Sequence, residues 1–174
     1  MLTRTLHAML AVRPDLPADV RFVVGELCRT GGALPSSGQV AAILGLSSRF
    51  ALGRIMKRHH LPSIARLRRW FTVLAWVGIA QRDHVALCTI AFRIGRYPAA
   101  CYRTARSVTG SRWSEVLARG AGWVERRILE LFLSRYAHHV SRRRLRGDAA
   151  RMVQNPKRRR YRSRGTRSAA SVSR

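Results

Sequence analysis

The sequence predicts an all-α protein: two helix-turn-helix subdomains joined by a long helix, followed by a C-terminal helix and a disordered basic tail. Three observations predict it. Apolar residues recur at helical spacing from Leu34 to about Tyr136, without the alternation of a strand. A weak self-similarity recurs at an offset of 50 residues, where Val40-Ala41 and Gly45-Leu46 match Ile90-Ala91 and Gly95-Arg96. After Val140 the composition breaks, and thirteen basic residues face Asp148 alone. That stretch has too little apolar content to bury a core.

Residues 1–33 form the first segment. Residues 1–17 read as a weakly structured lead carrying Pro14 and Pro17, and a short helix is expected from Asp19 to Cys28. Val20, Val23, Val24 and Leu27 share one face of it, and Gly31-Gly32 ends it.

Residues 34–80 hold the first subdomain and the linker helix. Ser36 followed by Gln39 is a capping box, so a helix is expected from Ser37 to Leu44. Gly45 supplies the positive φ of a tight turn. Leu46 then packs inward, and Ser47 is expected to cap a second helix, Ser48 to Arg58. Leu52, Ile55 and Met56 face the core, leaving Arg49, Phe50, Gly53, Arg54 and Lys57 outside. Phe50 fits either a thymine-methyl contact or the core. From Ser63 to Ala80, Ile64, Leu67, Phe71, Leu74 and Gly78 form a buried stripe, and Arg66, Arg68 and Arg69 fall off it.

Residues 81–140 repeat the arrangement. Asp83 is expected to cap a helix from His84 to Ile94, and Gly95 makes the turn. Pro98 fits the first position of the next helix, which runs to about Val108 and ends at Gly110. Arg96, Ala99, Arg103 and Arg106 point outward, and Tyr102 fits the core or a phosphate contact, with the core preferred. Beyond, Trp123, Val124, Ile128, Leu131 and Phe132 form an apolar face. It either packs on the second subdomain or serves as a dimer or partner-protein surface. Residues 141–174 are the basic tail.

Charge narrows the function. Thirty-four Lys and Arg oppose eight acids, for a formal net charge of +26. So one-sided a balance points to a polyanionic partner. No enzyme is expected. Asp83-His84 reads as a helix cap, and Glu115, Glu125 and Glu130 as ordinary helix-surface acids. The tandem His59-His60 and His138-His139 point in different directions on a helix, and no acid or cysteine cluster has metal-ligand spacing. No metal or cofactor is expected. Cys28, Cys88 and Cys101 read as reduced, mostly buried thiols of a cytosolic protein. The opening apolar stretch is broken by His7 and lacks a cleavage site. The longest apolar run, Trp70 to Ala80, is well short of the ~20 residues of a membrane span.

The base-reading candidates are therefore Arg49, Phe50, Arg54, Arg96, Arg103 and Arg106, with Arg as the usual reader of guanine. The phosphate candidates are Ser47, Lys57, Arg58, Arg68, Arg69, Arg112 and Arg119, with Lys157, Arg158, Arg159 and Arg160 in the tail.

The segment from about Leu34 to Val124 resembles the DNA-binding module of the AraC/XylS family of bacterial transcription regulators. The likeness is carried by Val40-Ala41-Ala42-Ile43-Leu44-Gly45-Leu46-Ser47 and by Ile90-Ala91-Phe92-Arg93-Ile94-Gly95, continuing to Thr109-Gly110-Ser111-Arg112-Trp113. Where the family has phenylalanine after the second turn glycine, this chain has Arg96. The resemblance implies two helix-turn-helix units on one long helix, reading double-stranded DNA in the bacterial cytosol. Residues 1–33 are too few for the family's sensing domain, so a stand-alone module, or one whose regulation comes from a partner, is expected. An RNA-binding or ribonucleoprotein-assembly protein, and the DNA-binding subunit of a larger DNA-transaction complex, are the alternatives.

Overall fold

A computed structural model describes residues 2–33 and 36–154, with side chains through Leu133. Every regular element among them is helical: α1 (Leu2–Val12), α2 (Ala18–Arg29), α3 (Ser37–Ile43), α4 (Arg49–Arg58), α5 (Ile64–Asp83), α6 (Leu87–Arg93), α7 (Pro98–Thr109) and α8 (Trp113–Gln154). No helix among the described residues is long and apolar enough to cross a membrane. The described residues fall into two units, divided between Tyr136 and Ala137. In the second unit the backbone is helical through Gln154, and Lys157, Arg158, Arg159 and Arg160 lie outside the described residues.

The first unit is organised on α5. Leu67, Phe71, Val73, Leu74 and Val77 are fully buried along it. It packs against α2, α6 and α7, while α1 pairs with α2, α3 with α4 and α6 with α7. Ser63 starts α5 by accepting the Arg66 N–H. The helix runs on past Ala80 to Asp83, and His84 closes it at φ 52. This corrects one expectation. Asp83 is not a cap of the following helix. It is the last residue of α5 and pairs with Arg82 and Arg93. The next helix begins only at Leu87, without a side-chain cap.

The lead is also corrected, because residues 2–12 are a helix. Its inward face uses Thr5 and Met9, and Thr5 donates to Glu125 on α8 at 2.9 Å. Glu125 is no surface acid: only 8 % exposed, it also accepts from Arg4. Such a partner, 120 residues away, is invisible to a local reading. On α8, Val124, Ile128 and Phe132 are fully buried, so intrachain packing occupies most of the apolar face. Trp123 and Leu131 are half-buried beside the core, and Leu133 is exposed. Trp123 lies under the guanidiniums of Arg119 and Arg127. Within α8, Gly120 (φ 75, ψ 176) breaks the helical backbone, and Ala121 N–H donates instead to Gln81 on α5.

Arg13 joins the N-terminal helices to the end of α4. Its side chain is 1 % exposed, donates twice to Asp15 and reaches the His59 carbonyl at 3.1 Å. The hydrogen bond from Arg13, aided by its charge, holds the Asp15 carboxyl below its ordinary value. A depressed acid contributes stability above its unfolded pKa and loses it as pH falls through the folded value. Asp15→Asn is expected to remove part of the loss below pH ~4, read as melting temperature against pH. Asp15 is 43 % exposed and solvent-screened, so the effect is at most about 1 kcal/mol. Glu26 and Asp83 are held down in the same way by Arg29 and Arg82, so a shallower acid loss remains.

Cys28 and Cys101 are buried, and burial pushes the Cys28 thiol up to about 12. All three cysteines are free thiols, and Cys88 is partly exposed.

Candidate nucleic-acid interface

Two helix pairs repeat within the first unit, α3 with α4 and α6 with α7. Their turns are built alike. Gly45 and Gly95 both stand at φ 65. In the first turn Gly45 N–H donates to Ala42 and Leu46 N–H to Ala41, at 3.0 and 2.8 Å. In the second, Gly95 N–H donates to Phe92 and Arg96 N–H to Ala91, at 3.1 and 2.8 Å. Each is a Schellman ending, in which two N–H groups beyond the helix satisfy its last free carbonyls. Val40-Ala41 and Ile90-Ala91 are buried at equivalent places. Up to the turn glycine, the offset of 50 holds residue by residue.

After the glycine it changes. The first turn spends one residue more, because Ser48 and not Ser47 caps α4, accepting the Ala51 N–H at 3.3 Å. Ser47 is exposed. In the second turn Pro98 opens α7 directly after Tyr97. Arg49 and Pro98, the first residues of α4 and α7, are 49 apart. The same shift aligns the buried pair Leu52 and Met56 with Cys101 and Ala105. It also aligns the outward sides. Phe50, Arg54 and Lys57 repeat at i, i+4 and i+7, and Ala99, Arg103 and Arg106 do the same on α7.

The alternatives for Phe50 are now separated. It is 64 % exposed, with the Arg49 guanidinium 5.0 Å from its ring centre. Tyr102 is corrected: it is 41 % exposed rather than core, because Cys101 and Ala105 form the inward face of α7. Arg54, Lys57, Arg58, Arg96, Arg103, Arg106 and Arg112 are exposed. Arg96 lies in the second turn, off the outward stripe of α7. Arg68 has an intrachain role, donating through Nε to the Gly32 carbonyl at 3.2 Å. Arg119 is exposed but donates to Ser111 Oγ and covers Trp123.

The distribution of acids decides where the charge is free. Among the described residues the ion pairs engage Arg4, Arg13, Arg29, Arg82, Arg93 and Arg127. None of them engages a base-reading or phosphate candidate. The carboxylates thus compensate arginines elsewhere, and the outward sides of α4 and α7 keep their full positive charge. Arg66, exposed on α5 and three residues from Arg69, was not among the candidates. Its signal was its place off the buried stripe, on the same side as Arg69.

Comparison with known proteins finds no matching family model, no matching curated protein and no matching solved structure.

Proposed function

We propose that this protein is a sequence-specific double-stranded DNA-binding protein, a transcription regulator with two helix-turn-helix units. In this reading α3–α4 and α6–α7 are the units and α5 is the helix that joins them, as the AraC/XylS resemblance implies. The observation that carries the reading is the duplicated outward stripe. Two helices, each following a turn on an equivalent glycine, present equivalent positions, and the basic residues there have no acidic partner among the described residues. Arg54 and Arg103 occupy the middle of the two stripes and are the base readers, with Phe50 and Arg106 beside them. Lys57, Arg58, Arg69 and Arg112 hold phosphates, which supply most of the affinity. The basic tail adds sequence-independent attraction and a faster encounter.

Selection of the full chain against a random duplex pool at near-physiological salt tests this. The expected product is a site with two short fixed blocks about one helical turn, ~34 Å, apart. A pool that enriches nothing, with binding that vanishes on raising salt or that prefers RNA, sinks the reading.

A further inference from the structure

The seam between the first half of α5 and α7 holds two adjoining open hollows. One, of 370 Å³, is lined by Ser63, Ala65, Arg66, Arg69, Trp70, Ser107 and Val108. The other, of 350 Å³, is lined by Arg69, Ala100, Arg103, Thr104 and Ser107. Arg69 and Ser107 are common to both, so the hollows follow one another along the seam.

The lining has a single sign of charge. Three guanidiniums, of Arg66, Arg69 and Arg103, border the seam, and no carboxylate does among the described residues. None of the three makes an ion pair or a side-chain hydrogen bond among the described residues. The Ser107 hydroxyl is equally uncommitted. The other two hydroxyls are engaged, since Ser63 caps α5 and Thr104 donates to the Ala100 carbonyl. Arg66 with Arg69, and Arg103 with Ser107, each sit three or four residues apart and so share a side of their helix. The seam thus offers donors from two helices, and its unopposed positive charge favours an anion.

We infer that this seam seats consecutive phosphates of a nucleic-acid strand. Two open hollows in series suit a linear polyanion, whereas a small polyphosphate is ordinarily held in one enclosed pocket. The inference rests on the proposed function and deepens it. Arg103 lies on the outward stripe of α7, and the seam runs along the Ala100, Thr104 and Ser107 flank of the same helix. With α7 in a major groove, that flank faces the sugar–phosphate strand bordering the groove. Arg66 and Arg69 clamp this strand from α5, while Arg103 reaches the bases. The joining helix is therefore itself part of the DNA-contacting surface and fixes which edge of the groove α7 lies against.

The test is the salt dependence of binding by the full chain, measured by fluorescence anisotropy on the selected duplex and on an unrelated one. Wild type is compared with Arg66→Gln/Arg69→Gln and with Arg66→Lys/Arg69→Lys, after melting curves show the variants folded. Each phosphate contact contributes about −0.9 to the slope of log affinity against log salt. The glutamine pair is expected to make the slope shallower by about 2, weakening both duplexes alike, and the lysine pair to restore it. An unchanged slope and affinity in the glutamine pair overturns the seam, and with it the phosphate role of Arg69, while sequence-specific duplex binding stands. Absence of any duplex preference in wild type is the separate failure of that function. Calorimetric titration with ATP is the remaining arm. Tight binding that the glutamine pair abolishes, with its DNA salt slope unchanged, makes the seam a small-polyphosphate site and overturns the strand reading.

Discussion

Arg54→Gln combined with Arg103→Gln is expected to abolish discrimination between the selected duplex and an unrelated one. A bidentate arginine–guanine contact carries ~1–3 kcal/mol of discrimination. The two residues stand on different helices and share no partner, so their losses should nearly add. The double variant should lose ~30-fold to ~10⁴-fold in affinity for the selected site, and much less on the unrelated duplex. Each single variant should relax one block of the site and leave the other intact. Both side chains are exposed and make no ion pair among the described residues, so the melting temperature should hardly move. Equal losses on both duplexes would reassign the two arginines to phosphates.

The second large effect is structural. Gly32 stands at φ 84 where the chain leaves α2 and passes α5. A Cβ there would lie 2.5 Å from Thr72 Oγ1, 2.6 Å from the Arg68 carbonyl oxygen and 2.8 Å from the Thr72 nitrogen. Two of these are backbone atoms of the central helix and cannot rotate away. Gly32→Ala therefore combines a left-handed backbone penalty of ~1–2 kcal/mol with overpacking of ~1–3 kcal/mol. Gly45→Ala is the control, because a Cβ at Gly45 meets nothing within 4 Å. It should cost only the backbone part, ~1–2 kcal/mol. Thermal unfolding of the two variants checks the difference. Equal destabilisation would show that close approach to α5 contributes nothing.

The sequence was most readable where a signal is local. Ser36 and Gln39 form both halves of their capping box, at 3.3 and 2.9 Å. Gly45, Gly95 and Gly110 all take positive φ, and Pro98 opens its helix. The α5 stripe of Leu67, Phe71 and Leu74 is fully buried. What was missed depended on distant partners or on a single residue of register. The first helix hid because Thr5 on its inner face is polar, and its hydrogen bond to the distant Glu125 offsets the cost of burial. Asp83 looked like a cap because aspartate commonly is one, but α5 ran three residues further and placed it beside Arg82 and Arg93. The candidate surface was legible as charge and helix phase. The seam was not, because Arg66 and Ser107 come together only through the packing of α5 on α7.

The inward sides of α4 and α7 have a consequence for anyone hoping to exchange them. Leu52 and Met56 anchor the first, and Cys101 and Ala105 the second. Small side chains at a crossing let two helices approach closely, whereas larger ones hold them apart. The second pair is therefore moulded to a slimmer helix than the first, despite the matching turns. A chimaera carrying the α4 segment in place of α7 would force leucine and methionine into space shaped for a thiol and a methyl. Under the proposed function, retargeting should thus be done by recoding the outward stripes in place. The two pairs are duplicates up to their turn glycines, but they are not interchangeable cassettes.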